Sequence, residues 1–187
     1  MKAGRQLLLG ALLALPLLAA ADVRTCLVVG VSDGDTITAR CGGHSAYEQV
    51  KVRFNGIDAP EKNQPFGQRA KEAMSDLVYM KEVDLDCRKT DRYGRSVCRV
   101  RVTPNSAPNG LKTLDAGLAM ITLGMAWWYR DYAREQTVEE RAQYEFAESE
   151  AAAKGAGLLG NKRAMAPWIW RKEQRIGSKL PANDGAP

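Results

Sequence analysis

VRTCLVVGVSDGDTITARCGGHSAYEQVKVRFNGIDAPE, residues 23–61, holds three strand-like runs in close succession. Thr25 to Val31 and Thr36 to Cys41 are rich in β-branched residues and flank Ser32-Asp33-Gly34-Asp35, a turn composition. Val50, Val52 and Phe54 then alternate with Lys51, Arg53 and Asn55, the pattern of a half-buried strand with Arg53 on the face opposite the apolar set. Cys26 and Cys41 are equidistant from Asp33-Gly34. Residues so placed face each other across a hairpin, which predicts a cross-strand disulfide.

The same logic extends down the chain. Val83, Leu85 and Cys87 alternate with Asp84 and Asp86, and Cys98, Val100 and Val102 alternate with Arg99 and Arg101. Cys87 and Cys98 are centred on Arg92-Tyr93 and lie on the inward parity of their strands, so a second hairpin bridge is expected. Apolar residues at helical spacing predict helices within Phe66 to Met80 and Thr113 to Ala126, and a Glu/Ala-rich helix from Val138 to Lys154 is stopped by Gly155 and Gly157. Five strands interleaved with three helices fit a small α+β barrel occupying residues 22–176, with 177–187 as a flexible tail.

At 187 residues, 45% hydrophobic and 26% charged, the chain has material for one domain with a real core, and collagen-like, coiled-coil and wholly disordered classes are excluded. Lys2 and Arg5, the apolar run Leu7 to Leu18 and Ala19-Ala20-Ala21 compose a secretory signal peptide over residues 1–21. The run is shorter than the ~20 residues of a spanning helix, and Cys26 lies too far past the Ala-rich site for lipidation there. Removing Lys2 and Arg5 lowers the net charge from +5 to +3, a mild bias toward a polyanionic partner. Four cysteines exported to an oxidising compartment, secreted or periplasmic, suit two disulfides. A zinc site is the alternative, but CxxC spacing is absent and His44 is the only histidine.

That single histidine, in the Gly42-Gly43-His44-Ser45 loop, excludes paired-histidine ribonuclease and two-histidine zinc chemistry and reads as a surface residue. Gly155 to Lys162 lacks the Gly-Lys-Ser/Thr ending of a phosphate loop. Acid–base work would therefore fall to carboxylates, and charge stabilisation to arginine or a metal. Asp33-Gly34-Asp35-Thr36 and Asp58-Ala59-Pro60-Glu61 supply oxygen donors at strand ends, as a hard cation such as Ca²⁺ requires. Taken singly, each is an ordinary turn. Arg53 five residues before Asp58, and Asp91-Arg92-Tyr93-Gly94-Arg95 at a third turn, complete an assembly suited to a phosphodiester.

In order, Val31-Ser32-Asp33-Gly34-Asp35-Thr36, Arg53-Phe54-Asn55-Gly56-Ile57-Asp58-Ala59-Pro60-Glu61 and Thr90-Asp91-Arg92-Tyr93-Gly94-Arg95 resemble the staphylococcal nuclease (thermonuclease) family. Gly124-Met125-Ala126-Trp127 and Pro167-Trp168-Ile169-Trp170 are similar to later segments of its members, so that the resemblance runs from about Val23 to Arg171. It implies a five-stranded OB-type β-barrel packed with three helices, and a secreted Ca²⁺-dependent nuclease hydrolysing DNA and RNA, leaving 3′-phosphate ends with little sequence specificity. It further implies that Asp35, Asp58 and the Ala59 carbonyl bind Ca²⁺, that Arg53 and Arg95 clamp phosphate, and that Glu61 is held beside the attacking water. Arg92 and Tyr93 correspond to contacts with a terminal phosphate, and one of Trp127, Trp128, Tyr129 and Tyr132 is the candidate to stack on a base. The cysteines have no counterpart in the type member, which also has threonine where this chain has Ala59. After signal cleavage a monomer off the membrane is expected. A non-catalytic OB-fold nucleic-acid-binding module and a secreted scaffold are the rival readings, and neither accounts for Asp35, Arg53, Asp58, Glu61 and Arg95 occurring together.

Overall fold

In the computed structural model, which describes residues 23–43 and 46–178, β1 (Val23–Asp33), β2 (Thr36–Gly43) and β3 (Ala46–Phe54) form an antiparallel meander. The expected signal peptide, His44 and residues 179–187 lie outside the described part. The chain continues through β4 (Ile57–Asp58), α1 (Gly67–Val78), β5 (Glu82–Thr90) and β6 (Ser96–Val102). β5 pairs antiparallel with both β1 and β6. β3 and β6 then pair in parallel, Val52 opposite Ser96, Arg53 opposite Val97 and Phe54 opposite Cys98, and this closes the sheet into a five-stranded barrel. Closure satisfies both sheet edges and leaves one filled interior. Val28, Ile37, Ala39, Val52, Phe54, Val83, Leu85, Val100 and Val102 fill it from alternate strand positions.

Cys26 and Cys41 are direct register partners, with Cα atoms 4.4 Å apart and the disulfide formed. Cys87 and Cys98 likewise oppose one another and are bonded, at a Cα separation of 3.9 Å, closer than the usual ~4.4–6.8 Å. Cys98 is fully buried, whereas Cys87 is exposed despite its inward parity. The β5 register shifts immediately after it, between Cys87 and Lys89, as the strand leaves the barrel rim.

α1 buries Ala70, Met74 and Val78, one stripe at four-residue intervals, against the barrel. The second expected helix is shorter than Thr113 to Ala126. Leu114–Asp115 forms a strand, β7, paired with Val102 and Arg101, and the Asp115 carboxylate caps α2 (Ala116–Thr122) by accepting from the Leu118 amide. Local pairing at one end and Gly124 in the left-handed region at φ 65° at the other set these limits. Trp127–Trp128 then forms β8, pairing with β4, and Arg130–Glu135 makes a 3₁₀ turn. A capping box of Thr137 and Glu140 starts α3 (Val138–Ala153), and the chain turns away at Gly155, φ 67°.

A fourth helix, α4 (Pro167–Gly177), stands beyond the three that periodicity predicts, and it takes in Gly177, the first residue of the expected tail. Pro167 at its first turn is compatible with a helix start, but only Pro167 in it is buried, and its apolar residues Trp168, Ile169 and Trp170 come as one consecutive run rather than at helical spacing. Among the described residues no helix is long and apolar enough to cross a membrane.

Candidate active site

A cleft of about 450 Å³ opens at the barrel rim. The β1–β2 turn, the end of β3, β4 and its following loop, the β5–β6 turn, the 3₁₀ segment and α4 all line it. Asp35, Arg53, Asp58, Ala59, Glu61, Arg92, Tyr93 and Arg95, separated by up to 60 positions in sequence, thus share one cavity.

Asp35 is delivered by a turn that must pass close to its neighbours. A Cβ on Gly34 would stand 2.7 Å from the Ala59 Cβ and 2.8 Å from that of Ala70, so glycine is needed there. Asp33 accepts from the Asp35 amide at 3.1 Å, tightening the turn. The Asp35 carboxylate accepts from the Thr36 hydroxyl (2.9 Å) and the Ala59 amide (2.7 Å), and pairs with Arg53 Nη1 at 3.0 Å. The other nitrogen of the Arg53 fork, Nη2, lies 2.9 Å from Asp58 Oδ1. One guanidinium therefore bridges both carboxylates, with Asp58 only 1% exposed and Asp35 6%. Strand parity keeps Arg53 outside the apolar interior, and its register opposite Thr36 brings it to the turn that carries Asp35.

Arg171 of α4 is a site residue without a role in the sequence reading. Its Nη2 lies 2.7 Å from Asp58 Oδ2, and its Nη1 lies 3.2 Å from Asp58 Oδ1 and 2.7 Å from Glu61 Oε1. The Glu61 backbone is fixed separately. Its amide donates to Gln64 Oε1 at 3.1 Å, Gln64 Nε2 donates to the Met165 carbonyl at 2.5 Å, and α1 begins so close that a Cβ on Gly67 would overlap the Glu61 carbonyl oxygen. Glu61 is thereby held at a loop pinned between α1 and α4.

Arg95 is oriented by Asp91, also without a role in the sequence reading. Its Nε and Nη2 both lie 2.7 Å from Asp91 Oδ2, while Asp91 Oδ1 accepts from the Tyr93 and Arg95 amides at 2.9 and 3.0 Å. The Asp91-x-x-Gly94-Arg95 spacing is the signal for it: an aspartate accepting from the backbone of its own turn, with Gly94 at φ 76°. Partial burial pulls the Asp91 carboxyl upward, but the Arg95 and Tyr93 hydrogen bonds outweigh it, and the net displacement is below the usual carboxylate value. Arg92 and Tyr93 are exposed at the cleft mouth, with Arg92 Nη2 donating to the Tyr93 hydroxyl at 2.9 Å.

Of the four aromatic candidates, Tyr129 and Tyr132 line the cleft. Trp128 is buried, donating from its indole nitrogen to Gln136 Oε1, and Trp127 packs edge-on against Trp168 instead. Trp168 of α4 continues the cleft wall, its ring centroid 5.4 Å from that of Tyr129.

Electrostatically the cleft floor is a crowd of carboxylates under arginines. Burial, and then the negative charge of Asp35, push Asp33 up to about 7. Burial also raises the Asp58 carboxyl, against the downward pull of Arg171 and Arg53. Among the described residues no three His, Cys, Asp or Glu side chains converge as a ready metal cage. Asp35, Asp58 and the Ala59 carbonyl nonetheless offer only hard oxygen donors, and two buried carboxylates create a demand for positive charge that Arg53 and Arg171 here meet. That donor set fits a calcium-type cation completed by water.

The family model of staphylococcal nuclease homologues matches residues 51–160. Those residues contain Arg53, Asp58, Ala59, Glu61, Arg92, Tyr93 and Arg95 but neither Asp35 nor Arg171. Over 155 residues the chain is 37% identical to an endonuclease of Haemophilus influenzae, covering 83% of this chain and 77% of that protein. It is 36% identical over 149 residues to a micrococcal nuclease of Shigella flexneri, with 79% and 80% covered, and 38% identical over 146 residues to the protein ParB of Escherichia coli, with 78% of each covered.

Proposed function

Since this chain belongs to the family of staphylococcal nuclease homologues, we propose that it hydrolyses phosphodiester bonds of both DNA and RNA outside the cytoplasm, with Ca²⁺ as cofactor. The observation that carries this reading is the meeting of Asp35, Arg53, Asp58, Glu61 and Arg95 in one cleft. Export is supported by the basic start, apolar run and Ala-rich site of residues 1–21 and by two disulfides, which persist in oxidising compartments. The nuclease domain is assigned to residues 22–176, acting as a monomer.

Asp35, Asp58 and the Ala59 carbonyl would hold the cation, which when bound supplies Lewis-acid stabilisation of charge on the phosphate oxygens. The chain's own residues provide the rest. Arg53 and Arg95 present planar forks to the non-bridging oxygens, bonds that strengthen as charge grows toward the trigonal-bipyramidal state. Glu61 positions a water for in-line attack and accepts its proton, and Arg171 fixes the carboxylate that does so. As the phosphorus–oxygen bond on the 5′ side breaks, the 5′-oxygen departs with the downstream strand and takes a proton from water, and the upstream strand keeps a 3′-phosphate. Arg92 and Tyr93 meet a terminal phosphate, and Tyr129 or Tyr132 stacks on a base. With the grip on backbone phosphate and little access to base edges, cleavage is weakly selective for sequence.

Plasmid DNA and a long RNA, each incubated with the mature protein plus Ca²⁺ or plus a chelator, test the proposal. Degradation of both, with 3′-phosphate ends and only with Ca²⁺, is expected. Bound but intact nucleic acid would show a binding module instead.

A further inference from the structure

A second groove, of about 500 Å³, adjoins the first through Glu61, Tyr93, Arg171 and Arg175, which line both. It adds Lys62 from the loop beyond β4 and Trp170 from α4. Lys62 and Arg175 are exposed, and Trp170 is half-buried, held in place by its helix with its neighbour Arg171 anchored to Asp58 and Glu61. The groove is thus a continuation of the cleft on the Glu61 side, and its lining combines an aromatic ring with two exposed cations.

A phosphodiester inside a polymer carries chain on both sides of the scissile phosphate. Tyr129, Tyr132 and Trp168 provide an aromatic wall within the first cleft, so one flanking nucleotide is accommodated there. The adjoining groove offers the other a path past the residues common to both cavities. An aromatic ring beside lysine and arginine is the combination that holds unpaired nucleotides, the ring taking a base face and the cations taking phosphate.

We propose that this groove is a second nucleotide subsite, taking the unpaired nucleotide adjacent to the scissile phosphate, with its base on Trp170 and its phosphate on Lys62 and Arg175. The assignment rests on the cleft being a nuclease site. It makes α4 part of the substrate track, with Arg171 at the junction and Trp170 beyond it.

The test compares kcat/KM on a single-stranded oligonucleotide with kcat/KM on a nitrophenyl ester of thymidine phosphate, which is too small to reach the groove. Trp170→Ala should lower the oligonucleotide value roughly 5- to 100-fold, mainly through KM, with Trp170→Phe retaining most of it. Lys62→Ala should reduce the salt slope of oligonucleotide binding by about 0.7, one phosphate contact on a single strand. Both variants should hydrolyse the small ester as the wild type does. Equal losses on the two substrates would make Trp170 a structural residue and overturn the subsite, as would unchanged oligonucleotide kinetics in both variants. A wild-type protein that cleaves neither substrate would remove the nuclease reading itself, and the subsite with it.

Discussion

Arg95 enters the cleft with its guanidinium already held, two of its nitrogens sharing one oxygen of Asp91. Asp91→Asn keeps the shape of the turn and removes the charge that aims this donor. The expected outcome is a fall in kcat of about 10- to 100-fold, the range of a misplaced rather than deleted group, measured on single-stranded DNA. The same variant carries a pH signature. The folded-state carboxyl lies below its ordinary value of 3.8, so its stabilising contribution is present above that value and is lost as pH falls through the lower, folded one. Thermal unfolding followed from about pH 5 down to about pH 3 should show the wild type converging on Asp91→Asn; a constant gap would contradict the assignment. That Asp35, Arg53, Asp58, Glu61 and Arg95 gather in one cleft could be anticipated from the sequence, because three motifs arrive in order with a turn residue beside each. Arg171 could not. It lies 113 positions from Asp58, and an arginine after Trp-Ile-Trp has no local feature that marks it as the partner of a buried carboxylate.

Hairpins were the most legible elements: Cys26 pairs with Cys41 and Cys87 with Cys98 as expected, although register shifts between Val28 and Gly30, between Val31 and Asp33 and between Cys87 and Lys89 take up the difference between the actual turns and the expected centres. Each bridge ties the base of a hairpin whose turn reaches the cleft, the first carrying Asp35 and the second Arg95. Loops of 15 and 11 residues are worth up to about 3 kcal/mol each on a chain-entropy estimate. Reduction should accordingly lower the melting temperature by roughly 5–20 °C in total, with activity at room temperature changed less than threefold. Scanning calorimetry with and without reductant measures the first, and an unshifted melting point would mean the bridges constrain nothing. The helices were less legible. α2 is cut short at its start because Leu114 and Asp115 pair with β6, a tertiary contact that overrides helical spacing, and α4 escapes notice because its residues face a polar cleft rather than a core.

The fold as a whole converts a closed barrel into a rigid frame with one functional rim. Parallel pairing of β3 with β6 brings Arg53 beside the strand that follows the Arg95 turn, and α4 closes the remaining side. A cation entering between Asp35 and Asp58 should stabilise that frame by mass action. With two carboxylates and one carbonyl, a Kd of about 10⁻⁴ to 10⁻³ M is expected, so about 10 mM Ca²⁺ should add roughly 1–3 kcal/mol and raise the melting temperature by several degrees. Asp35→Ala should abolish the shift, and a shift of the same size in that variant would place the ion elsewhere. In the proposed reaction this cleft cuts the phosphodiester with its own arginines and glutamate. The most direct measurement is the single-turnover rate of single-stranded DNA cleavage at saturating Ca²⁺ for Arg53→Lys and Glu61→Gln, each shown by its melting profile to be folded. Losses of about 10²-fold or more are expected for both, because a point charge cannot replace the fork and an amide cannot take the proton. Rates within a few-fold of wild type in either folded variant would contradict the proposed reaction.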